Sequence, residues 1–310
     1  MNTSSRIYVA ALTAVVSIFG SVATTRATVL VDNSFNLGVA NGADLNGVAV
    51  GATGFTGNYS ISNTTQNGST ATETFTSTGL TFGGNFHPVS GGAAVLTTTT
   101  PNTSNPATAG LNATISATAA GTIYSSYLTS ITGSISSGNY SSASTSAGSL
   151  KTSTNVGDGL WTGDKAAIGV TGTGGSTSTV VFSPTSGTTY LVLARFTNIG
   201  TASAVSVDNL WIFDQTHYDS WFAAGANESS LDGAALKTAT NTSAAGTFNL
   251  NGTFNITNGS GNTSGHTQIT DEFRVGTSLS DVTAVVPEPV GTSIMSLAAM
   301  GLLGLRKRRA

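Results

Sequence analysis

Tyr190-Leu191-Val192-Leu193-Ala194-Arg195-Phe196 is a β-prone run, apolar on both faces until Arg195. A strand of that pattern belongs at the centre of a sheet, inside the core. Val205-Ser206-Val207-Asp208-Asn209-Leu210-Trp211-Ile212-Phe213 follows it. Its first half alternates polar and apolar residues, and its second half is apolar on both faces. Only Asn198 to Ala204 separates the two runs, which predicts adjacent antiparallel strands joined by a short loop. Similar signals extend outward from this pair. Thr/Val/Phe alternation recurs, broken about every 8–12 residues by Gly or Asn clusters. Thr74-Phe75-Thr76 and Leu80-Thr81-Phe82 flank a turn at Gly79. In Gly246 to Ile256, a two-residue hairpin at Asn251-Gly252 would place Phe248 and Phe254 on opposite faces. One continuous strand, or a three-residue loop, keeps Phe248, Leu250, Phe254 and Ile256 together, and is expected instead. Thr97 to Ser153 is nearly all Thr, Ser, Ala, Gly and Asn. It is either a set of Thr/Ser-rich strands with one polar face or a flexible linker. Its low charge and recurrent β-branched residues favour strands. In the body, helix signals are confined to a short turn near Ser220–Ala226.

Both ends of the chain read as addresses. Arg6 precedes an apolar run, Ile7 to Val22, and small residues then offer cleavage after Ala23 or Ala27. Ala27 is favoured, because Thr28-Val29-Leu30-Val31 begins a strand-like run; an uncleaved anchor is the alternative. At the other end Val286-Pro287-Glu288-Pro289 precedes the uncharged, apolar Val290 to Leu305, followed by Arg306-Lys307-Arg308-Arg309-Ala310. As a helix that apolar run reaches about 24 Å, against a bilayer core of about 30 Å. It spans only with thinning or with snorkelling of the flanking cations. Pro287 and Pro289 mark its start. The basic cluster predicts a cytoplasmic C-terminus. A hydrophobic helix belonging to the body is the other reading, but such a helix rarely ends in a run of cations.

Removing both segments leaves residues 28–285, enough for one large β domain or two small ones. Cysteine is absent, so packing and sheet hydrogen bonds must supply the stability. Charged residues make up only 8% of the chain, and none lies between Glu73 and Lys151. Four of the basic residues stand in the tail, so the body offers no electrostatic grip on nucleic acid.

The tail resembles the PEP-CTERM sorting signal of bacterial surface proteins, on Pro287-Glu288-Pro289, the apolar 290–305 and the cluster Arg306, Lys307, Arg308 and Arg309. That resemblance implies an exosortase-type processing enzyme and the export machinery as partners, with membrane tethering before delivery to the cell surface or extracellular matrix. It covers only residues 286–310 and is silent on the cargo. Thr270-Asp271-Glu272-Phe273-Arg274-Val275-Gly276-Thr277-Ser278 resembles the closing strand of concanavalin A-like, LamG-type jelly rolls. Val29 to Phe35, Gly54 to Tyr59 and Val205 to Phe213 match other short anchors of that fold. The resemblance implies an all-β, antiparallel two-sheet jelly-roll sandwich with a concave face suited to glycans. An N-terminal signal helix and a C-terminal transmembrane helix would flank it.

Catalytic constellations are scarce. His87, His217 and His266 lie far apart, outside metal-ligand spacing, and read as surface or loop residues. No Gly-x-Ser-x-Gly elbow and no phosphate loop appears. The related glucanases carry Glu-x-Asp-x-(x)-Glu on one strand, and here no glutamate stands in that spacing. Asp271 and Glu272 are adjacent and, on a regular strand, would point to opposite faces. Glu272 and Arg274 would share a face and pair. Asn155, Asp158 and Asp164, close to Trp161, form a candidate Ca²⁺ loop, though an ordinary Asp-Gly turn is the favoured reading. Beyond that Ca²⁺ no cofactor is expected. Trp221, beside Tyr218 and Phe222, is expected to be exposed and, with Trp161, is a candidate to stack on sugars; Trp211 reads as core. These signals predict a non-enzymatic surface or matrix protein associated with exopolysaccharide or envelope. The alternatives are a carbohydrate-binding, lectin-like module and, less favoured, a glycoside hydrolase.

Overall fold

A computed structural model describes residues 28–65, 68–87, 91–99, 107–133, 139–145, 150–156, 164–170, 177–182, 184–200, 206–244, 250, 252–260 and 265–283. The first strands are β1 (Val29–Asn33), β2 (Phe55–Ile61), β3 (Thr64–Thr65), β4 (Thr70–Thr76), β5 (Ala93–Thr99) and β6 (Ala107–Ile115). The central ones are β7 (Gly121–Gly133), β8 (Asn139–Thr145), β9 (Leu150–Val156), β10 (Asp164–Val170), β11 (Thr177–Val181), β12 (Thr189–Ile199) and β13 (Ser206–Phe213). Helix α1 (Gln215–Ala223), a 3₁₀ turn (Glu228–Ser230) and α2 (Leu231–Ala234) follow. The chain then runs through β14 (Lys237–Ala244), β15 (Gly252–Ser260), β16 (His266–Gly276) and α3 (Leu279–Thr283).

These strands form two antiparallel sheets. The first has the order β14-β13-β12-β7-β16-β5-β4, with β1 also on β16; the second has the order β11-β10-β9-β8-β15-β6-β2, with β3 on β6. The chain crosses between sheets at β1–β2, β3–β4, β5–β6, β6–β7, β7–β8, β11–β12, β14–β15 and β15–β16, the pattern of a jelly-roll sandwich. The predicted pair β12 and β13 is antiparallel, with Leu193 opposite Trp211. The described residues of the Thr97–Ser153 region form strands β5 to β9 rather than a linker, and they feed both sheets. The expected signal and transmembrane helices lie outside the described residues. Among the described residues no helix is long and apolar enough to cross a membrane.

Alternation explains the core. Tyr190, Val192, Ala194, Leu210 and Ile212 face the second sheet, where Leu111, Ile115, Phe254 and Ile256 meet them. Leu250 joins the same core as expected, while Phe248 lies outside the described residues. The opposite face of the first sheet is also buried. Leu191, Leu193, Trp211 and Phe213 pack under Tyr218 and Trp221 of α1, Leu231 of α2 and Val282 of α3. That second layer is why β12 is apolar on both faces. The outer face of the second sheet is polar instead: Asn255 Nδ2 donates to Asn112 Oδ1 at 2.6 Å, and Asn112 Nδ2 to Ser62 Oγ at 3.0 Å.

Leu80-Thr81-Phe82 is not a strand, contrary to expectation. It belongs to a loop laid over the first sheet, with Phe82 and Phe86 in the outer aromatic layer. The cause lies in β16. Pairing with β7 shifts register between Asp271 and Arg274, and Glu272 adopts φ 51°. The bulge turns both acidic side chains toward the loop rather than to opposite faces. Asp271 Oδ2 accepts from Leu80 N at 2.8 Å, and Glu272 Oε2 lies 3.4 Å from His87 Nδ1. Glu272 also pairs with Arg274 Nη2 at 3.5 Å, as expected, and Arg274 Nε reaches Asp32 Oδ1 at 3.3 Å. His87 and His266 are buried, not surface residues. Just beyond the bulge, Gly276 is required by contact: a Cβ there would lie 2.2 Å from Asp281 Cβ. Asp281 accepts from the backbone N–H groups of Thr277 and Ser278 and so closes the turn into α3.

Candidate functional site

One polar row crosses the apolar outer face of the first sheet. Arg195 on β12 stands opposite Tyr124 on β7 and opposite Asn209 on β13. Asn209 in turn stands opposite Thr240 on β14. Register therefore places four polar side chains in a line, one from each strand. Asn209 Nδ2 donates to Thr240 Oγ1 at 3.0 Å, and Arg195 Nη2 donates to Asn209 Oδ1 at 2.6 Å.

The segment after α1 lies over this row. Trp221 is only 1% exposed, and its Nε1 donates to Asn227 O at 3.0 Å, fixing the chain just before Glu228. Ser230 Oγ donates to the same carbonyl at 2.8 Å. Glu228 then meets the row with both oxygens. Oε1 accepts from Arg195 Nη1, and Oε2 accepts from the Tyr124 hydroxyl at 2.7 Å. Asp232 of α2 accepts from Trp211 Nε1 at 2.7 Å. The guanidinium carbon of Arg195 sits 5.9 Å from the Trp211 ring centroid, within cation–π range. Between strands and helical segment opens a cavity of about 410 Å³ lined by Arg195, Asn209, Trp211, Glu228, Ser229 and Asp232.

This site is wet: the Arg195 and Glu228 side chains are 28% and 40% exposed. Partial burial raises the Glu228 carboxyl, but the Tyr124 hydroxyl and Arg195 outweigh it and hold it below the usual range. Burial, then the bond to Glu228, pushes the Tyr124 hydroxyl up to about 12. At neutral pH Glu228 is thus an anion and Tyr124 a neutral donor. The cavity offers carboxylate acceptors, guanidinium and hydroxyl donors and an amide, all beside an aromatic ring. Among the described residues no group of three or more His, Asp or Glu is placed to hold a metal.

No family model and no curated protein matches this sequence. Solved structures of similar fold include an endo-β-1,4-glucuronan lyase from the fungus Trichoderma reesei, at 13% identity and TM-score 0.45, covering 78% of this chain and 96% of that one. Another is the carbohydrate recognition domain of Emp47p, at 8% identity and TM-score 0.42, covering 83% and 99%. A third is a Bacillus licheniformis β-glucanase, at 12% identity and TM-score 0.37, covering 81% and 98%. At these identities the likeness concerns fold alone.

The expectation of a non-enzymatic body is corrected here, since a lyase and a glucanase stand among the proteins of similar fold. The physical reason is that alternating carboxylates on one strand are not the only way to aim acids at a cavity. Here Glu228 and Asp232 come from a 3₁₀ turn and a short helix. The expected sugar platform at Trp221 is also corrected: the ring is buried against Phe213 and Tyr218, and it serves as a strut. Trp161 and Asp158 of the candidate Ca²⁺ loop lie outside the described residues. The backbones of Asn155 and Asp164 sit at the adjoining ends of β9 and β10, where Lys165 pairs with Asn155. Pro287, Glu288, Pro289 and the cluster Arg306 to Arg309 also lie outside the described residues. Arg195 and Glu228 are 33 positions apart. The signal that marks them is a lone arginine in an otherwise apolar strand, which needs an acidic partner wherever the chain supplies one.

Proposed function

We propose that this is an exported, surface- or matrix-associated protein whose sandwich binds carbohydrate in the cavity between Arg195 and Glu228. The observation that carries the binding role is the row Tyr124–Arg195–Asn209 facing Glu228 and Asp232 across an open cavity beside Trp211. Sugars present dense hydroxyls that both donate and accept. Carboxylate, guanidinium and amide groups held on rigid strands match that pattern, and an aromatic ring matches the apolar ring face. Export and sorting are supported by the two terminal segments, residues 1–27 and the PEP-CTERM-like 286–310. An exosortase-type enzyme and the export machinery are the partners this reading names.

Titration with oligosaccharides tests the binding role. The expected result is saturable binding that Arg195→Met weakens at least tenfold. Undiminished binding in that variant removes this cavity as the site. Repeating the titration with EDTA tests the Asn155–Asp164 loop separately. The cavity also holds two carboxylates, the groups that glycosidic hydrolysis uses. The same mixtures are therefore examined for shortened chains, which Glu228→Gln or Asp232→Asn would abolish if hydrolysis occurs there. Sorting is tested by fractionation: deleting residues 286–310 should release the protein from envelope to medium. An unchanged distribution contradicts it.

A further inference from the structure

Resting on the carbohydrate-binding reading above, we infer that the cavity selects glycans without carboxylates, and that it prefers amino-bearing sugars to uronates. The charge inventory of the cavity carries this. Its lining holds one cation, Arg195, and two carboxylates, Glu228 and Asp232. The cation is already engaged. One Nη serves Glu228, the other serves Asn209 at 2.6 Å, and the guanidinium lies against Trp211. A uronate carboxylate entering the cavity therefore meets a guanidinium whose charge is already paired with the Glu228 carboxylate, and competes with it.

The remaining charge is Asp232. It is exposed, and its Oδ1 takes a single neutral indole N–H at 2.7 Å. Among the described residues no ion pair is formed by Asp232. Lys237 on β14 pairs with Ile212, a residue of the face between the sheets and three positions along from the Asn209–Thr240 pair, so its register puts it on the other face from the cavity row. Asp214 and His217 pair with each other at 2.7 Å on the first turn of α1. The cavity thus keeps one uncompensated negative charge in a partly screened recess. An ammonium group on a sugar is attracted by it, a hydroxyl is tolerated, and a carboxylate is repelled.

The test uses the full chain and three oligosaccharides of equal length: glucosamine, glucose and glucuronate oligomers. Calorimetric titration at low salt should give the affinity order amino, neutral, uronate, with at least tenfold between first and last. Raising the salt should shrink that span, because exposed charges are screened beyond about 10 Å at 0.1 M. Asp232→Asn keeps an oxygen for the Trp211 indole and removes the charge. It should abolish the advantage of the amino oligomer over the neutral one. Tightest binding of the uronate oligomer overturns the charge inference and leaves the carbohydrate-binding reading standing. Binding of none of the three, or affinities indifferent to Arg195→Met, overturns the reading beneath it as well.

Discussion

Two arginines sit among acids on the first sheet, and their surroundings give them opposite roles. Arg274 and Glu272 belong to the β16 bulge, where Glu272 is fully buried and His87 is 3% exposed. Arg195 and Glu228 stand at the rim of an open cavity, partly in water. Both ion pairs use the same chemistry. The buried one pins a loop to a strand, while the open one leaves its groups within reach of a solute. The comparison shows that burial, rather than residue type, separates a charge that holds the fold from one that can meet a ligand.

The sharpest way to break this contrast is to remove one acid from each pair. Glu272→Ala removes the buried carboxylate shared by His87 and Arg274, and it should cost about 3–5 kcal/mol in chemical denaturation. Glu228→Ala, at the surface, should cost less than about 1 kcal/mol. Equal losses would erase the distinction.

A smaller effect is expected from pH. Burial, then the neighbouring Glu272, pushes the Asp271 carboxyl up to about 8, against the pull of the Leu80 and Glu272 N–H groups. The folded state therefore holds a proton that the unfolded chain releases near 3.8. The stabilisation is complete below that lower value and is lost as pH rises through about 8. One such proton gives a slope of at most about 1.4 kcal/mol per pH unit. Asp271→Asn should flatten the fall in stability across this window. An unchanged slope would mean that Asp271 is ionised in the fold.

The smallest stability effect belongs to Arg195→Met, expected to shift unfolding by less than about 1 kcal/mol. Its consequence should appear in ligand affinity. A large loss of stability would place Arg195 with Arg274, as a structural residue.

The same contrast explains what the sequence discloses. Tyr190–Ala194 and Leu210–Phe213 announce their pairing because both faces of those stretches are buried, and apolarity is visible residue by residue. The strands within Thr97–Ser153 are legible through β-branching and low charge. The bulge is not, because adjacent Asp271 and Glu272 look like any alternating pair until one residue takes a positive φ. Trp221 misleads for a related reason: with Tyr218 and Phe222 beside it the aromatic cluster suggests an exposed platform, but α1 lies on an outer aromatic layer that only tertiary packing creates. The cavity is hidden further, because its acids lie far along the chain from its arginine, on a 3₁₀ turn and a short helix.

The most direct test of the central claim follows the indole N–H resonances during titration with an oligosaccharide that binds. Trp211 Nε1 donates to Asp232 at the cavity, whereas Trp221 Nε1 donates to Asn227 inside the outer layer. Binding at the cavity should shift the Trp211 signal with the same midpoint as the calorimetric curve, leave Trp221 nearly still, and vanish in Arg195→Met. A bound state that leaves Trp211 unmoved, with shifts gathered instead at Asn112 and Asn255 on the second sheet or at residues 155–164, would contradict the account.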